Sequence, residues 1–299
     1  MTLERHRPVM AKETLDALRL PEGGVAVDAT VGHGGHALAM LQALGENGTL
    51  VAMDWDETML ENAKQALANA PGRVHFVHAD YRRLPEELDV LKIDRVDGIL
   101  YDLGVNREHF EDPLRGFSFL RSGPLDMRMD RSAKETAAAW LGRATYGEIA
   151  RALREFGGER HAAEIAKRIV ERKKAGTLRT TDDLVEAVLE AVPPHRREKR
   201  IHPATRTFQA IRIAVNQELE DLDYHIERAA ERLAPGGRMV TLSYHSGEDR
   251  AAKNAFRNLS RSGFKVITKK PIAPSTDEVA SNPSARSAKL RCIERNEEH

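Results

Sequence analysis

The chain has 299 residues, 41% of them hydrophobic and 31% charged, which excludes a disordered composition and suits one large domain or two modest ones. Its 46 lysines and arginines balance 46 aspartates and glutamates, which argues against a protein that coats nucleic acid through net charge. A single cysteine, Cys292, excludes an internal disulfide and a cysteine-rich zinc site.

The opening residues, MTLERHRPVM, contain no apolar segment of signal-peptide type. No apolar run in the sequence reaches the length of a membrane-spanning helix. We therefore expect a soluble, cytoplasmic protein without a membrane partner.

The first hundred residues alternate between short apolar runs and segments with helical spacing. Helices with apolar residues three and four apart are predicted over Gly35–Leu44 and Thr58–Ala68. The predicted strands are Val25–Ala29, Thr49–Asp54, Val74–Asp80 and Val96–Asp102. This alternation indicates βαβ units and a parallel sheet, with ligands bound at the carboxyl ends of its strands.

The alternation stops after the fourth strand. Residues 104–130 form a long segment rich in glycine, proline, arginine and phenylalanine, and such a loop is usually functional. From Lys134 to Val192 the spacing is helical and no strand is indicated, so we expect a small bundle of its own. The predicted domains are an α/β domain formed by residues 1–130 and 203–299, and an inserted helical domain formed by residues 131–202.

The α/β pattern resumes after the insertion. One long amphipathic helix is predicted over Thr207–Leu233, ended by the Pro-Gly-Gly that follows. A helix is also expected over Arg250–Leu259. Further strands are predicted over Arg238–Tyr244, Phe264–Thr268 and Ala288–Glu294. The domain should therefore close with a pair of strands.

The turn after the first predicted strand, DATVGHGGH, is the strongest local sign of a ligand site. A metal bound by its two histidines is disfavoured, because no third ligand lies nearby in the sequence. A dinucleotide fits better, since Gly32, Gly34 and Ala37 match G-x-G-x-x-A and Asp54 ends the next strand about twenty residues later. A tight turn that holds no ligand is a further alternative.

Asp28 favours a different ligand for the same turn. It ends the first strand four residues before Gly32, where its carboxylate would repel a pyrophosphate. The same carboxylate would attract a cationic ammonium, such as that of the amino-acid part of S-adenosylmethionine. Asp54 would hold a ribose hydroxyl with either ligand and does not discriminate between them. Asp28 therefore favours S-adenosylmethionine over NAD, and both ligands stay open on the turn alone.

Five long blocks of the sequence then point to one family. The blocks are DGILYDLGV, RGFSF…GPLDMRMD, HPATRTFQAIRIAVNQEL, APGGRMVTLSYHSGEDR and NPSARSAKLR. Together they resemble the MraW/RsmH family of bacterial 16S ribosomal RNA cytosine-N4 methyltransferases, over a stretch from His6 to about Glu294. The resemblance implies the α/β fold of a class I, Rossmann-like S-adenosylmethionine methyltransferase, with an all-α domain inserted after the fourth strand.

The resemblance also implies a cofactor, a substrate and a set of site residues. The cofactor would be S-adenosyl-L-methionine, and the substrate a cytosine in the decoding centre of 16S ribosomal RNA, within the small ribosomal subunit. A homodimer is an open alternative, and no metal site is predicted. The implied cofactor contacts are Gly34, Gly35, His36, Asp54, Tyr81, Asp102 and His109, beside Asp28 from the argument above.

The chain departs from the family pattern in the segment after DLGV. The family usually has Ser-Ser-Pro-Gln, and this chain has Asn106-Arg107-Glu108-His109. His109 therefore replaces a glutamine, although an imidazole also donates or accepts a hydrogen bond. Two milder departures are Gly247, where the family has leucine, and Tyr81, where other members often have phenylalanine.

The chemistry implied is in-line attack of the cytosine amine on the sulfonium methyl group. Asp102, at the end of the fourth strand, is the predicted catalytic residue that accepts hydrogen bonds from the amine and positions it. Tyr101 or a backbone carbonyl could assist. The alternative is that Asp102 only binds the cofactor.

RNA contacts are expected on the basic and aromatic segments. The sequence from Pro193 to Ile213 is strongly basic, with a single acid, Glu198, against Arg196, Arg197, Lys199, Arg200, Arg206 and Arg212. Such a run suits a polyanion gripped in one place, and the alternative is a solvated face. Candidate phosphate contacts are Arg115, Arg128, Arg206, Arg286 and Lys289. Phe117 and Phe119 are candidates for stacking on bases, with loop packing as the alternative, and Arg206 and Arg212 could instead pair with acids of the insertion.

Two rival functions follow from the same sequence. An NAD-dependent dehydrogenase would use the glycine turn, but Asp28 and the large helical insertion disfavour it. A non-catalytic RNA-binding or assembly protein is kept open by the altered Asn106–His109 segment. The retained glycine turn and the acids Asp54 and Asp102 argue against it.

Overall fold

The computed structural model describes residues 7–297, which divide into two compact units. One unit, here called the sheet unit, includes the chain up to Gly104 and again from Asp221 onward. The other, here called the helical unit, is Val105–Glu220. In the described part of the chain, no helix combines the length and the apolarity needed to cross a membrane.

The sheet unit begins with four strands that alternate with helices, as the sequence predicted. Its first elements are α1 (Ala11–Leu18), β1 (Val25–Asp28), α2 (Gly35–Leu44), β2 (Thr49–Asp54), α3 (Glu57–Ala66), β3 (Arg73–His78), α4 (Leu84–Val90) and β4 (Val96–Asp102). The bounds of α2, β2 and β4 agree with the prediction to the residue. The short helices α1 and α4 were not predicted.

The helical unit contains six α-helices, two short 3-10 helices (Pro113–Arg115 and Pro194–Arg196) and no strand among its residues. The α-helices are α5 (Arg107–Glu111), α6 (Ala137–Arg143), α7 (Tyr146–Glu155), α8 (Ala162–Ala175), α9 (Thr181–Ala191) and α10 (Thr205–Asn216). Capping boxes define where α7 and α9 begin: Thr145 with Glu148, and Thr180 with Asp183. Gly176, in a left-handed conformation at φ 70°, ends α8.

The helical unit extends beyond the predicted insertion at both ends. Leu125 and Met127, from the loop after α5, are buried in its hydrophobic core. Phe208 and Ile211 of α10 are buried in the same core. Because burial of these side chains stabilises the packed bundle, the loop and α10 belong to the compact unit that the sequence placed at 131–202.

The chain returns to the sheet unit through the remaining elements. They are α11 (Leu222–Ala230), β5 (Leu233–Ser243), α12 (Ser246–Leu259), β6 (Phe264–Val266), α13 (Thr276–Ser281) and β7 (Lys289–Arg295). The single long helix predicted over Thr207–Leu233 is wrong. Its apolar period continues through the segment, but Gln217 (φ 53°) and Asp221 (φ 49°) adopt left-handed conformations that separate α10 from α11. The Pro-Gly-Gly predicted to end that helix lies within β5.

The seven described strands form one sheet in the order β3-β2-β1-β4-β5-β7-β6. The first five strands in this order are parallel, and β7 pairs antiparallel with both β5 and β6. The predicted closing strand pair is therefore confirmed. β1 lies between β2 and β4, which places the carboxyl ends of these three strands side by side.

A second hydrophobic core lies within the sheet unit. Met40, Leu41 and Leu44 of α2 are fully buried against strand residues that include Leu50 and Leu100. This packing fixes α2 on the sheet and, with it, the turn that joins β1 to α2.

Candidate functional site

Three aspartates end three neighbouring strands of the sheet unit. Asp28 is the last residue of β1, Asp54 of β2 and Asp102 of β4. In the register of the sheet, Asp28 is opposite Ala52 on one side and Leu100 on the other. The structure thus brings together, at the carboxyl edge of the sheet, the three acids that the sequence singled out.

The glycine turn is tied to β2 through Asp54. Gly32 N–H donates to Oδ2 of Asp54 at 2.9 Å, and Asp56 N–H donates to Oδ1 at 2.9 Å. Burial raises the pKa of Asp54 to about 6, and these backbone hydrogen bonds limit the rise. Asp54 therefore braces the turn, and each of its oxygens can still accept another hydrogen bond.

Helix α2 begins at the turn in a way that leaves its first amides available. Gly34, in a left-handed conformation at φ 81°, precedes the helix and provides no side-chain cap. The first N–H groups of a helix have no acceptor within it, and their dipoles favour a negative group. The start of α2, at Gly35 and His36, is thus suited to an anion such as a carboxylate.

Asp28 is fully buried at the base of this turn. Its Oδ1 accepts a hydrogen bond from Thr30 N–H at 3.2 Å, and its Oδ2 is buried without a hydrogen-bond partner among the described residues. Burial raises the pKa of Asp28 to about 8, and the nearby charges of Asp102 and Asp54 add to the rise. A cationic group of a ligand would satisfy Oδ2 and favour the ionised carboxylate.

Asp102 is held from two sides. Its N–H donates to Oγ1 of Thr30 at 2.8 Å, and the Tyr244 hydroxyl donates to its Oδ1 at 2.6 Å. Burial raises the pKa of Asp102 to about 7, against the opposing effect of the Tyr244 hydrogen bond. Its side chain nevertheless remains 24% exposed, so a reacting group can reach it.

Tyr244 was not among the predicted site residues. It follows β5 directly, and β5 pairs with β4 in parallel, so its ring lies beside the end of β4. A Cβ built at Gly104 would lie 3.2 Å from this ring, so the glycine permits the close approach. Tyr244 could have been predicted from the pairing of β4 with β5. Because these parallel strands end at the same edge of the sheet, the residue after β5 lies near Asp102 at the end of β4.

His36 contacts the opposite side of Asp102. Its Nε2 lies 3.6 Å from Oδ2 of Asp102. Burial lowers the pKa of His36 to about 4, although a hydrogen bond with the Val9 backbone opposes this effect. The ring is therefore neutral near pH 7, and its contact with Asp102 is not an ion pair.

Aromatic rings line the same edge of the sheet unit. Tyr81 follows β3, and its ring lies 5.3 Å from that of Tyr101 and 6.1 Å from that of Trp55. The Tyr101 hydroxyl donates to the carbonyl oxygen of Tyr81 at 3.2 Å. Tyr101 is fully buried, so of these three rings those of Tyr81 and Trp55 are the ones that could stack on a planar heterocycle.

His109 lies in the helical unit, on α5. It is 3% exposed and stacks on Phe117, with ring centroids 5.1 Å apart. Phe117 is equally buried and also meets Phe110 edge-on at 6.3 Å. Phe117 thus packs within the loop, which favours the alternative that the sequence had left open beside base stacking.

Two of the predicted phosphate contacts are engaged by the loop itself. Arg115 is buried, and its guanidinium donates to the carbonyl oxygens of Arg128 (3.0 Å) and Met129 (2.8 Å). Arg128 forms a bidentate pair with Asp126, with N–O distances of 2.8 and 2.7 Å, and also donates to two backbone carbonyls. Their guanidinium groups stabilise the loop, which argues against a phosphate contact for the buried Arg115. For Arg128, whose side chain is 22% exposed, the contact stays a prediction.

The other RNA candidates differ in how accessible they are. Phe119 is half-buried and stacks on His202, with centroids 4.5 Å apart. Arg206 pairs with Glu198, the alternative that the sequence had left open. In the sheet unit, Lys289 pairs with Asp249 at 3.2 Å, whereas Arg286 is exposed. Of these residues, Arg286 is the one whose charge faces solvent without a pairing acid among the described residues.

Comparisons with known proteins cover both units. A family model described as the MraW methylase family matches residues 4–296. A curated protein from Halothermothrix orenii is named ribosomal RNA small subunit methyltransferase H. It is 39% identical to this chain over an alignment of 306 residues, and the alignment covers 97% of this chain and 98% of that protein. A protein of the same name from Nitrosococcus oceani is 42% identical over 313 residues, which cover 98% of each. The matches thus include the glycine turn, the three aspartates and the helical unit.

Proposed function

Because this chain belongs to the MraW methylase family, we propose that it transfers a methyl group from S-adenosylmethionine to the N4 amine of a cytosine in the decoding centre of 16S ribosomal RNA. The curated relatives are named as methyltransferases of small-subunit ribosomal RNA. Within the structure, the proposal is carried by the position of the Asp102 carboxylate. Tyr244 orients this carboxylate, which lies beside the glycine turn and Asp28. Membership of a methylase family also decides against the NAD-dependent dehydrogenase.

The donor set of the sheet unit fits S-adenosylmethionine. The buried Oδ2 of Asp28 lacks a partner, and the ammonium of the cofactor would provide one. The amides at Gly35 and His36 suit its carboxylate, and Asp54 its ribose. The ring of Tyr81 suits its adenine. His109 is kept as a cofactor contact on the family resemblance alone.

When bound, S-adenosylmethionine supplies an electrophilic methyl group on a sulfonium. The protein's task is to present the cytosine amine, whose lone pair is delocalised into the ring and is weakly nucleophilic. Asp102 in its ionised form accepts an N–H of the amine and holds the group in line. The Tyr244 hydroxyl occupies Oδ1 and leaves Oδ2 for this task.

The proposed partner is 16S ribosomal RNA within the small ribosomal subunit, and the proposed location is the cytoplasm. We further propose that the helical unit takes part in recognition of the RNA. A homodimer remains an alternative for the protein's assembly. The main functional rival is an RNA-binding or assembly protein that has lost catalysis through the change at Asn106–His109.

The first test is methyl transfer from radiolabelled S-adenosylmethionine to small ribosomal subunits from a strain that lacks this enzyme. Nucleoside mass spectrometry should find the label in N4-methylcytidine. Cofactor binding without any transfer would instead support the non-catalytic rival. Absence of both transfer and cofactor binding would overturn the interpretation of the glycine turn.

The role of Asp102 is tested separately with Asp102→Ala. If Asp102 positions the amine, methyl transfer at saturating cofactor should fall much more than cofactor affinity does. Equal losses in transfer and in affinity would show that Asp102 only binds the cofactor.

A further inference from the structure

The helical unit contains a basic cavity of about 90 Å³ that the proposed reaction does not use. It lies where α8 and α10 begin and beside the segment that joins α9 to α10. The basic and imidazole side chains in its lining are Arg160, His161, Arg196, Arg197, His202 and Arg206. Three of them, Arg196, Arg197 and Arg206, belong to the basic run that the sequence shows after Pro193.

Two of the four arginines are already engaged within the unit. Arg197 donates to the carbonyl oxygens of Val192 (2.8 Å) and Leu189 (2.9 Å), and so holds the end of α9. Arg206 forms a bidentate pair with Glu198, with N–O distances of 2.8 and 3.2 Å. These contacts fix the walls of the cavity.

The remaining two arginines are available to a ligand. Arg160 and Arg196 are exposed, and neither makes a side-chain hydrogen bond or an ion pair within 4 Å among the residues that the structure describes, although the charge of Arg160 helps to lower the pKa of the nearby Glu198 carboxyl. The second carboxylate of the lining, Glu159, is buried, and its Oε1 accepts the His161 N–H at 3.0 Å. The lining thus keeps a positive excess, with four arginines against two glutamates.

The chemistry of this excess favours a phosphate. A guanidinium presents a planar fork of donors that matches a phosphate in bidentate geometry. Helices α8 and α10 both begin here without a side-chain cap, so their dipoles add to the positive potential. The adjoining Lys199 and Arg200 are exposed as well, so the basic surface continues beyond the cavity along the chain. A cavity that opens onto further cations suits one phosphate of a polyanion better than a small free anion.

We propose that this cavity binds a backbone phosphate of the RNA substrate, through Arg160 and Arg196, and so anchors the RNA on the helical unit. The inference rests on the proposed function, because it takes its polyanion to be the RNA that is methylated. It adds a phosphate site formed entirely by the helical unit.

The test uses the full-length protein and measures its binding to small ribosomal subunits over a series of salt concentrations. The double variant Arg160→Gln/Arg196→Gln should bind more weakly, and its plot of log affinity against log salt should be shallower. Each lost phosphate contact should reduce the slope by about 0.7 to 0.9. Affinity for S-adenosylmethionine should stay unchanged, which shows that the sheet unit is intact, and an unchanged thermal unfolding curve should show that the helical unit is folded as well.

The matched control is Lys174→Gln/Arg179→Gln, which removes two exposed cations, one near the end of α8 and one in the loop that follows it, where Arg179 Nε donates to the Gly176 carbonyl oxygen at 3.0 Å. Lys174 lies twelve positions after the first residue of α8, about 18 Å along the helix axis. The net charge changes equally in both variants, so a general electrostatic effect would weaken binding equally. Equal weakening, or none in the cavity variant, would overturn the proposal.

A third variant should move binding in the opposite direction. Glu198→Gln removes the carboxylate that pairs with Arg206 and frees its guanidinium for the phosphate. Affinity for the subunit and the salt slope should both rise, whereas a residue that only supports the fold would not increase either. Unchanged or weaker binding would contradict the phosphate site.

The binding test does not depend on catalysis, so the two proposals can fail separately. If the unsubstituted protein transfers no methyl group but the cavity variant binds subunits more weakly than the control variant, the proposed reaction fails and the phosphate site stands. If the unsubstituted protein transfers the methyl group and the cavity variant binds subunits like the control variant, the phosphate site alone fails.

Discussion

Asp28 is a carboxyl group in an environment that penalises its charge. Its pKa of about 8 means that, near neutral pH, the ligand-free protein holds it mostly protonated. An ammonium placed at its Oδ2 would favour the ionised form, so cofactor binding at pH 7 should release a proton. Burial makes ionisation of this carboxyl group unfavourable in the free protein, and for the same reason makes the site selective for a cationic ligand.

We therefore predict that Asp28→Asn lowers the affinity for S-adenosylmethionine on the order of a hundredfold, because the buried partner of the ammonium is lost. Titration calorimetry at pH 7 in buffers of different ionisation heat should show proton release for the unsubstituted protein and none for the variant. Retained affinity, with unchanged proton release, would move the ammonium site away from Asp28.

Tyr244 offers a second prediction, on the pH dependence of methyl transfer. Its hydrogen bond lowers the pKa of Asp102, which burial alone would raise further. Since the ionised carboxylate is the working form, the rate should rise with pH through about 7, and Tyr244→Phe should move this rise to higher pH. The control is Tyr101→Phe, whose hydroxyl contacts the Tyr81 carbonyl and not Asp102. A profile that moves equally in both variants would assign Tyr244 a structural role only.

Among the elements, the connection from β1 to α2 depends most on one backbone conformation. Gly34 has φ 81°, and a Cβ there would meet only ordinary contacts, the nearest at 3.5 Å. The cost of Gly34→Ala is therefore backbone strain, roughly 1–2 kcal/mol. The start of α2 should also shift to relieve that strain, so cofactor affinity should fall.

Gly176→Ala in the helical unit is a matched control. Gly176 has φ 70°, and no atom lies within 4 Å of a Cβ built on it. Thermal unfolding should show similar destabilisation of both variants, and a titration should show lower cofactor affinity for Gly34→Ala alone. Unchanged affinity in Gly34→Ala would indicate that the turn does not contact the cofactor.

The sequence predicted those elements whose local signals agree with their tertiary environment. β1, β2 and β4 are buried apolar runs that end in aspartate, so all three strands were visible; the bounds of β2 and β4 were predicted to the residue, and β1 was predicted one residue too long, to Ala29. The break between α10 and α11 was not visible, because Gln217 is no sign of a left-handed residue and the apolar period continues past it. Asp28 and Asp102 could be predicted because each ends a strand, whereas Tyr244 required the pairing of two strands that are distant in sequence.

For the molecule as a whole, the buried acids determine how its stability depends on pH. Asp28 and Asp102 have pKa values of about 8 and about 7, against an ordinary value of 3.8. Between pH 6.5 and 8 the folded chain therefore binds more protons than the unfolded chain, and the free energy of unfolding falls as pH rises. The slope approaches about 1.4 kcal/mol per pH unit for each such proton.

Two histidines oppose part of this effect at the lower end of the window. His36 and His225 have lowered pKa values, so at each site the unfolded chain binds more protons than the folded chain, by up to about half a proton at pH 6.5 and by little at pH 8. Thermal melts of the ligand-free protein should show a lower Tm at pH 8 than at pH 6.5, with a smaller difference in Asp28→Asn. A Tm that rises over this window would contradict the raised pKa values.

The order of elements along the chain has a consequence for synthesis on the ribosome. β4 and β5 are adjacent in the sheet, but all of the helical unit is encoded between them. Asp102 and the tyrosine that orients it are 142 residues apart. A nascent chain can therefore fold the helical unit while β5 is still being translated, and the fifth parallel strand is added only afterwards. The carboxylate at the end of β4 gains its hydroxyl partner late, when most of the protein has already been made.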